Sequence, residues 1–254
     1  MGLLEQAREY AKVGLRVFPV WGITADGACE CGKADECGNA GKHPATQNGF
    51  KDATTDQVQI DEWWSRNRSR NIGIRTGQNP KGGIGLAVVD VDVKHDGRAK
   101  WEELQDQYEA LPDTAVAETG LRDGQRGLHL YFRLPDGLTL RSNNTGKIAP
   151  GIDLKAEAGC ITAPPSRHIS GVNYEWGSMP NGIRILPTEE LLVLPRWIVD
   201  RVQAPPPIEQ MRRPKQRFYE PGLGAIDQIK MSMSCQELAQ RFTALRRSGA
   251  QRFS

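Results

Sequence analysis

The sequence predicts an α+β protein, and three observations support this fold class. Segments with helical spacing and segments typical of strands follow one another without the regular alternation of a doubly wound fold. Of the 254 residues, 38% are hydrophobic and 25% are charged, which is ordinary for a soluble globular protein with a substantial core. No apolar run approaches the roughly 20 residues that a membrane-spanning helix needs.

The N-terminal half is predicted to contain two helices on either side of a loop rich in glycine and cysteine. Apolar residues at helical spacing from Leu3 to Ala11 indicate the first helix, and "LRVFPV" indicates a strand after it. The loop covers about residues 22–49. The stretch "TTDQVQIDEWWSR" predicts the second helix, with Thr55 or Asp56 as its N-cap. Strands are expected in "NIGIRTG" and "GIGLAVVDVDV".

The second half is predicted to be rich in strands. A helix in "RAKWEELQDQYEAL" should stop at Pro112, and strands are expected in "TAVAET", "GLHLYFRL", "KIAPGIDLK", "GCITAPP" and "VNYEW". The stretch "PTEELLVLPRWIVDRV", residues 187–202, predicts a closing helix with proline at its entrance. We therefore expect one domain over residues 1–203.

The remaining residues differ in composition from this domain. Residues 204–217 form a basic linker rich in proline, and residues 218–254 show helical spacing at Leu238, Phe242 and Leu245. From Pro205 onward the chain has 9 basic and 4 acidic residues, whereas the whole chain has a net charge of only +2. A basic tail is compatible with polyanion binding. The N-terminus lacks the basic region and cleavage site of a signal peptide, so we expect a cytoplasmic protein without a membrane partner.

Four residues that often bind metals lie close together in the glycine-rich loop. The stretch "CECGKADECGNAGKH" contains Cys29, Cys31, Cys37 and His43, so three of the five cysteines fall within nine residues. Three thiolates and one imidazole suit tetrahedral zinc, and four protein ligands make a structural site rather than a catalytic one. The odd number of clustered cysteines disfavours a disulfide. A zinc loop at about 27–44 and a loop of reduced cysteines without metal remain the two interpretations.

The stretch "GLAVVDVDV" places two carboxylates in an otherwise apolar strand. Successive side chains of a strand point to opposite faces, so Asp90 and Asp92 share one face. Two carboxylates there repel each other unless a cation lies between them, and we expect the pair to destabilise the strand when no metal is bound. The alternative is a strand that ends in a turn, with both aspartates solvated.

Two further polar residues interrupt segments typical of strands. His129 lies in "GLHLYF" and Asp153 lies in "PGIDLK". Each by itself is more typical of a packed histidine or a turn. Together with Asp90 and Asp92 they suggest a site in which three carboxylates hold divalent cations that activate a hydroxyl and bind a triphosphate. A nearby histidine and basic residues could then contact the phosphates.

The ordered set of short motifs resembles the primase-polymerase domain of the archaeo-eukaryotic primase superfamily, in its bifunctional phage and plasmid form. The matching stretches span about residues 3–200: "GLRVFPVWG", "GKHPATQNGFKDATTDQVQIDEWW", "NIGIRTG", "GLAVVDVD", "GLHLYFR", "PGIDLKAEAGCITAPPSRH" and "GVNYEW". The resemblance implies an RNA-recognition-like antiparallel or mixed sheet packed with a second α/β lobe, here with a zinc-binding loop inserted. A phage, plasmid or other mobile element is a plausible source of such a chain.

The resemblance also assigns roles to residues of this sequence. Asp90 and Asp92 match the first acidic motif and Asp153 matches the third acid, so these three would bind Mg²⁺ or Mn²⁺. His129 matches the histidine of the second motif and would contact the incoming triphosphate. The stretch before this histidine is longer than is usual in the family. Further candidates for nucleotide binding are Lys42, Arg75, Thr76, Arg126, Ser166 and His168.

The function expected from these residues is template-directed nucleotide transfer that makes or extends primers on single-stranded DNA. The expected partners are the template, NTPs or dNTPs, and a helicase or another replication protein. Two alternatives are a nucleic-acid-binding module without catalysis and a gap-filling repair polymerase of the same superfamily. The tail also resembles the opening of the zinc-ribbon domain of bacterial-type primases, but the zinc ligands of that domain are not present in this sequence. If the resemblance holds, the chain is expected to be a fragment of a longer protein.

Overall fold

The fold is of the predicted α+β class. The computed structural model describes residues 1–33, 36–79, 84–108, 114–142, 147–177 and 190–203. The predicted linker and tail lie outside these residues. Every pairing between the strands of the two sheets is antiparallel. Among the described residues, no helix has the length and apolar character needed to cross a membrane.

The helices and strands follow the predicted order. The helices are α1 (Leu3–Lys12), α2 (Gln57–Arg66), α3 (Gly97–Tyr108) and α4 (Arg196–Gln203). The strands are β1 (Val17–Val20), β2 (Asn71–Arg75), β3 (Leu86–Val91), β4 (Val116–Arg122), β5 (Gln125–Arg133), β6 (Ile152–Lys155), β7 (Cys160–Ala163) and β8 (Glu175–Trp176).

The smaller sheet has the strand order β1-β2-β7, and helices α1 and α2 pack against it. The N-cap of α2 is Asp56, whose carboxylate accepts a hydrogen bond from the backbone N–H of Val58. One face of α2 then buries Ile60 and Trp64 in the core shared with α1. The hydroxyl of Tyr10 in α1 donates to the carbonyl of Pro164, which connects this helix to the turn after β7.

The larger sheet has the strand order β6-β3-β5-β4-β8, with β3 between β5 and β6. Strand β3 is apolar on both faces because each face contacts a different core. Ala87, Val89 and Val91 pack in a core with α3 and α4. Leu86 and Val88 pack in the core that includes the smaller sheet and helices α1 and α2. The residues that follow Leu86 and Val88 on this second face are Asp90 and Asp92.

The closing helix is shorter than the sequence predicts. Helix α4 begins at Arg196, directly after Pro195, and residues 191–195 are not helical. Proline restricts the preceding residue to extended backbone, which favours a helix start after Pro195. The preceding segment instead runs beside the end of β5, where the Leu194 N–H donates to the carbonyl of Arg133.

Candidate functional site

The register of three neighbouring strands brings the predicted acids and the histidine together. Asp90 of β3 lies directly opposite His129 of β5 and directly opposite Asp153 of β6. Directly opposed side chains on neighbouring strands lie about 5 Å apart at Cβ and share a face of the sheet. The three residues were predicted from separate stretches of sequence, and pairing of the strands places them in one row.

A lysine lies between two of the carboxylates. The Nζ atom of Lys155 is 3.4 Å from Oδ2 of Asp90 and 3.1 Å from Oδ2 of Asp153. The other oxygen of Asp90, Oδ1, is 3.5 Å from Nε2 of His129. Both oxygens of Asp90 therefore have a partner. The remaining ring nitrogen of His129, Nδ1, is buried and has no hydrogen-bond partner among the described residues.

These contacts make Asp90 a stable carboxylate in the absence of metal. Burial alone would raise the pKa of Asp90, but the hydrogen bond with His129 and the charges of Lys155 and Lys42 outweigh burial and lower the pKa to about 2. For Lys155, burial lowers the pKa, but the two neighbouring carboxylates together raise it by more, so the net shift is upward. The expectation that Asp90 and Asp92 form a destabilising pair without metal is therefore not supported.

Asp92 combines both interpretations of the sequence. It follows the last residue of β3 and is exposed, and its Oδ1 accepts a hydrogen bond from the backbone N–H of Lys94 at 3.0 Å. It thus begins a turn, as the alternative interpretation expected. Its side chain nevertheless lines the same cavity as Asp90.

A cavity of about 290 Å³ lies in front of this row of residues. Its walls come from both sheets, because Val20 of β1 and Thr162 of β7 line it together with Asp90 and His129. Polar and aromatic side chains that line it are Lys42, Asp90, Asp92, Thr119, Arg122, His129, Lys155, Cys160, Thr162, His168 and Tyr174. Asp153 does not line the cavity. Its carboxylate instead contacts the ammonium of Lys155, which does line the cavity.

Two of the six predicted nucleotide contacts, Lys42 and His168, line the cavity. Nδ1 of His168 accepts a hydrogen bond from the backbone N–H of Ser170 at 3.1 Å, so the neutral ring carries its proton on Nε2. Burial and the nearby charge of Lys42 lower the pKa of His168 to about 4. The neutral ring is therefore the dominant form at pH 7.

Ser166 and Thr76 do not line the cavity, because their hydroxyls are used inside the fold. Both side chains are fully buried. The Ser166 hydroxyl accepts a hydrogen bond from the backbone N–H of Ile72 at 2.8 Å. The Thr76 hydroxyl donates to the carbonyl of Ala156 at 2.6 Å. Both residues thus hold the backbone near β2 in place.

The two predicted arginine contacts also lie outside this cavity. Arg126 donates to the carbonyl of Thr119 and forms an ion pair with Glu175, with Nη1 3.0 Å from the carboxylate. Arg75 lies 3.9 Å from the carboxylate of Glu157. Both guanidinium groups therefore already have carboxylate partners.

Sequence reasoning missed Lys155, Tyr174 and Gly120. Lys155 follows Asp153 by two positions in one strand, the same spacing that identified Asp90 and Asp92. Tyr174 is buried between two histidine rings, with its ring centre 5.9 Å from His129 and 5.7 Å from His168. Gly120 lies in β4, and a Cβ atom there would be only 2.0 Å from Nδ1 of His168. Only glycine at this position therefore allows the His168 ring to pack against β4.

The four residues of the predicted zinc loop converge on one point. The ligand atoms of Cys29, Cys31, Cys37 and His43 all lie within 4.8 Å of one another. The sulfur atoms of Cys29 and Cys37 are each 3.4 Å from Nε2 of His43. Tetrahedral zinc with ordinary bond lengths places sulfur and nitrogen ligands about 3.5 Å apart, so the arrangement fits this ion.

The loop is attached to the core on both sides of this cluster. The backbone N–H of Trp21 donates to the carbonyl of His43, and the two rings stack. The guanidinium of Arg70 lies 3.6 Å above the centre of the Trp21 ring. The amide of Asn71 donates to the carbonyl of Gly41. Since Lys42 lies between two anchored residues, the loop brings this lysine to the cavity.

Comparison with known families places most of the chain in a single match. A family model described as "Bifunctional DNA primase/polymerase, N-terminal" (Prim-Pol) matches residues 7–197. The matched range contains the Cys/His cluster, the row of residues around Asp90 and the whole cavity wall. The comparison with curated proteins found no match.

Proposed function

Because the chain belongs to the Prim-Pol family of bifunctional DNA primase/polymerases, we propose that it is a metal-dependent nucleotidyltransferase that synthesises or extends primers on single-stranded DNA. The strand register supports this proposal most directly, since Asp90 is flanked by His129 and Asp153 beside a cavity formed by both sheets. NTPs or dNTPs are the proposed substrates, and a helicase or another replication protein is the proposed partner.

The carboxylates of Asp90, Asp92 and Asp153 would hold Mg²⁺ or Mn²⁺. The ammonium of Lys155 lies between Asp90 and Asp153, so this position accommodates a positive charge. Carboxylate oxygens are also the ligands that both ions prefer. When bound, such ions would lower the pKa of an attacking 3′-hydroxyl and offset the charge of the triphosphate.

The chain's own cationic and N–H groups would bind and orient the triphosphate. Lys42 supplies a positive charge at the cavity wall, and His168 presents a neutral ring with its proton on Nε2. The buried Nδ1 of His129 has no hydrogen-bond partner among the described residues, and a bound phosphate or sugar group could supply one. Ser166, Thr76, Arg75 and Arg126 would support the surrounding backbone.

The proposed zinc would be structural. Four protein ligands close the coordination sphere, which leaves no position for a substrate. Its contribution to the site would be indirect, because His43 follows Lys42 in the chain and fixes where this lysine lies.

A primer-synthesis assay tests the function. Unprimed and primed single-stranded DNA are incubated with labelled nucleotides and Mg²⁺ or Mn²⁺, and the products are separated on a gel. Products on unprimed template show priming, products on primed template alone show an extension polymerase, and binding without products shows a binding module. Asp90→Asn should abolish the products. Asp200→Asn is the matched control, since Asp200 is exposed on α4 and pairs only with Arg196 in the described structure.

A further inference from the structure

We propose that Lys155 is a built-in counter-ion, which occupies the cation position between Asp90 and Asp153 and leaves it when a divalent metal ion and a nucleotide bind. This inference rests on the proposed function. It adds a positioning residue that couples metal binding to nucleotide binding at the same site.

The backbone dictates where Lys155 lies. Asp153 and Lys155 are two residues apart in β6 and therefore share one face, while Ile152 and Leu154 point into the apolar core on the other face. Asp90 is directly opposite Asp153, so a long side chain at position 155 reaches both carboxylates. The ammonium contacts one oxygen of each, at 3.4 and 3.1 Å.

A metal ion and this ammonium would compete for the same two oxygens, because both are cations that these carboxylates attract. Mg²⁺ lies about 2.1 Å from its carboxylate ligands, so a metal ion bound to Oδ2 of Asp90 and Oδ2 of Asp153 would fill the space between them. It would also lie within a few ångströms of the ammonium and repel it. Metal binding at this pair therefore favours movement of Lys155 away from the two carboxylates.

The side chain has a place to move to. Lys155 lines the cavity and is about one quarter exposed, and its flexible four-carbon stem allows the ammonium to turn toward the open space. In an empty cavity the released ammonium would lose two carboxylate partners. A nucleoside triphosphate in the cavity would replace them with phosphate oxygens. Each ligand would then favour the other, because coupling between two binding sites is reciprocal.

The experiment measures Mn²⁺ affinity by titration calorimetry, with zinc retained and with or without a non-hydrolysable nucleoside triphosphate. Lys155→Met keeps an unbranched side chain only one atom shorter and removes its charge, and Lys155→Gln serves as a second variant if the first folds poorly. Both should bind Mn²⁺ about tenfold more tightly than wild type without nucleotide, within the range of about 5–150-fold typical of such coupling. The gain in Mn²⁺ affinity that nucleotide produces in wild type should shrink in both variants.

Lys100→Met is the matched control, because Lys100 also contacts a carboxylate, that of Glu103, on the exposed side of α3. It should leave Mn²⁺ affinity unchanged. Equal or weaker Mn²⁺ binding by the Lys155 variants would overturn the inference, even if wild type makes primers. Absence of Mn²⁺ binding by wild type would overturn it together with the metal assignment. Failure of primer synthesis with the predicted rise in Mn²⁺ affinity would count against the proposed function alone.

Discussion

Replacing Asp90 by Asn should destabilise the protein when neither Mg²⁺ nor Mn²⁺ is present. The carboxylate is held by His129 on one side and Lys155 on the other, and these contacts lower its pKa to about 2. Asparagine keeps the shape of the side chain but removes its charge, so both attractions are lost. This outcome is opposite to what mutual repulsion between Asp90 and Asp92 would produce.

The size of the effect follows from the pKa of Asp90. A shift from the ordinary value of 3.8 to about 2 corresponds to at most about 2.5 kcal/mol, at 1.36 kcal/mol for each unit. The side chain is 27% exposed, and water screens part of this interaction, which leaves about 1–2 kcal/mol. For a domain of this size, that loss lowers the melting temperature by about 2–8 °C.

Chemical denaturation of zinc-loaded protein measures the difference, with Asp92→Asn as the control. Asp92 is exposed and accepts one backbone hydrogen bond, which asparagine can also accept, so this variant should stay within about 0.5 kcal/mol of wild type. Because the pKa of Asp90 is lowered on folding, its contribution is complete above about pH 4 and is lost as the pH falls toward 2. The two curves should converge there. An Asp90→Asn protein as stable as wild type at pH 7 would refute the reasoning.

Three further predictions concern other parts of the structure. Elemental analysis should find about one zinc per chain, lost in Cys37→Ser but kept in Cys160→Ser, and a zinc-free wild type purified without chelator would contradict the site. Burial lowers the pKa of His168 to about 4, so between about pH 6.5 and 4 the unfolded chain binds a proton that the folded chain does not. The stability of the protein should therefore decrease as the pH falls through this interval. In chemical denaturation, the stability of His168→Gln should depend less on pH than that of wild type, and equal slopes in the two proteins would contradict this prediction. Ser166→Ala should lower the free energy of unfolding by about 1–3 kcal/mol, since the buried backbone N–H of Ile72 loses its partner. Nucleotide affinity should stay unchanged. Unchanged stability with weaker nucleotide binding would instead indicate that Ser166 contacts the nucleotide.

Elements with strong local signals could be predicted from the sequence. The second helix begins at one of its two expected caps, Asp56, and the strands expected in "TAVAET" and "GLHLYFRL" form as β4 and β5. The last helix could not be placed as well. Leu191 and Leu194 have the spacing of a helical face, yet each is buried in a different core from non-helical backbone. Tertiary packing decided their conformation, and local spacing carries no information about it.

The site shows a similar division. Asp90, His129 and Asp153 could be identified because polar residues inside apolar strands are costly unless they have a use. Ser166 was expected to face a ligand, but a hydroxyl can serve any neighbouring backbone group, and only the fold shows that its partner is Ile72. Lys155 could have been found, since it repeats the two-residue spacing of a shared strand face.

The polar residues of the site also help to specify the fold. Strand β3 is apolar on both faces, so hydrophobicity alone does not distinguish its register from one shifted by a single residue. Such a shift would turn Asp90 toward the core of Ala87, Val89 and Val91, where a carboxylate without a partner costs several kcal/mol. In the observed register, Asp90 instead meets a histidine and a lysine from its two neighbouring strands. The groups proposed to hold metal and nucleotide therefore also select the pairing that brings them together, which is why their loss should be visible in stability as well as in activity.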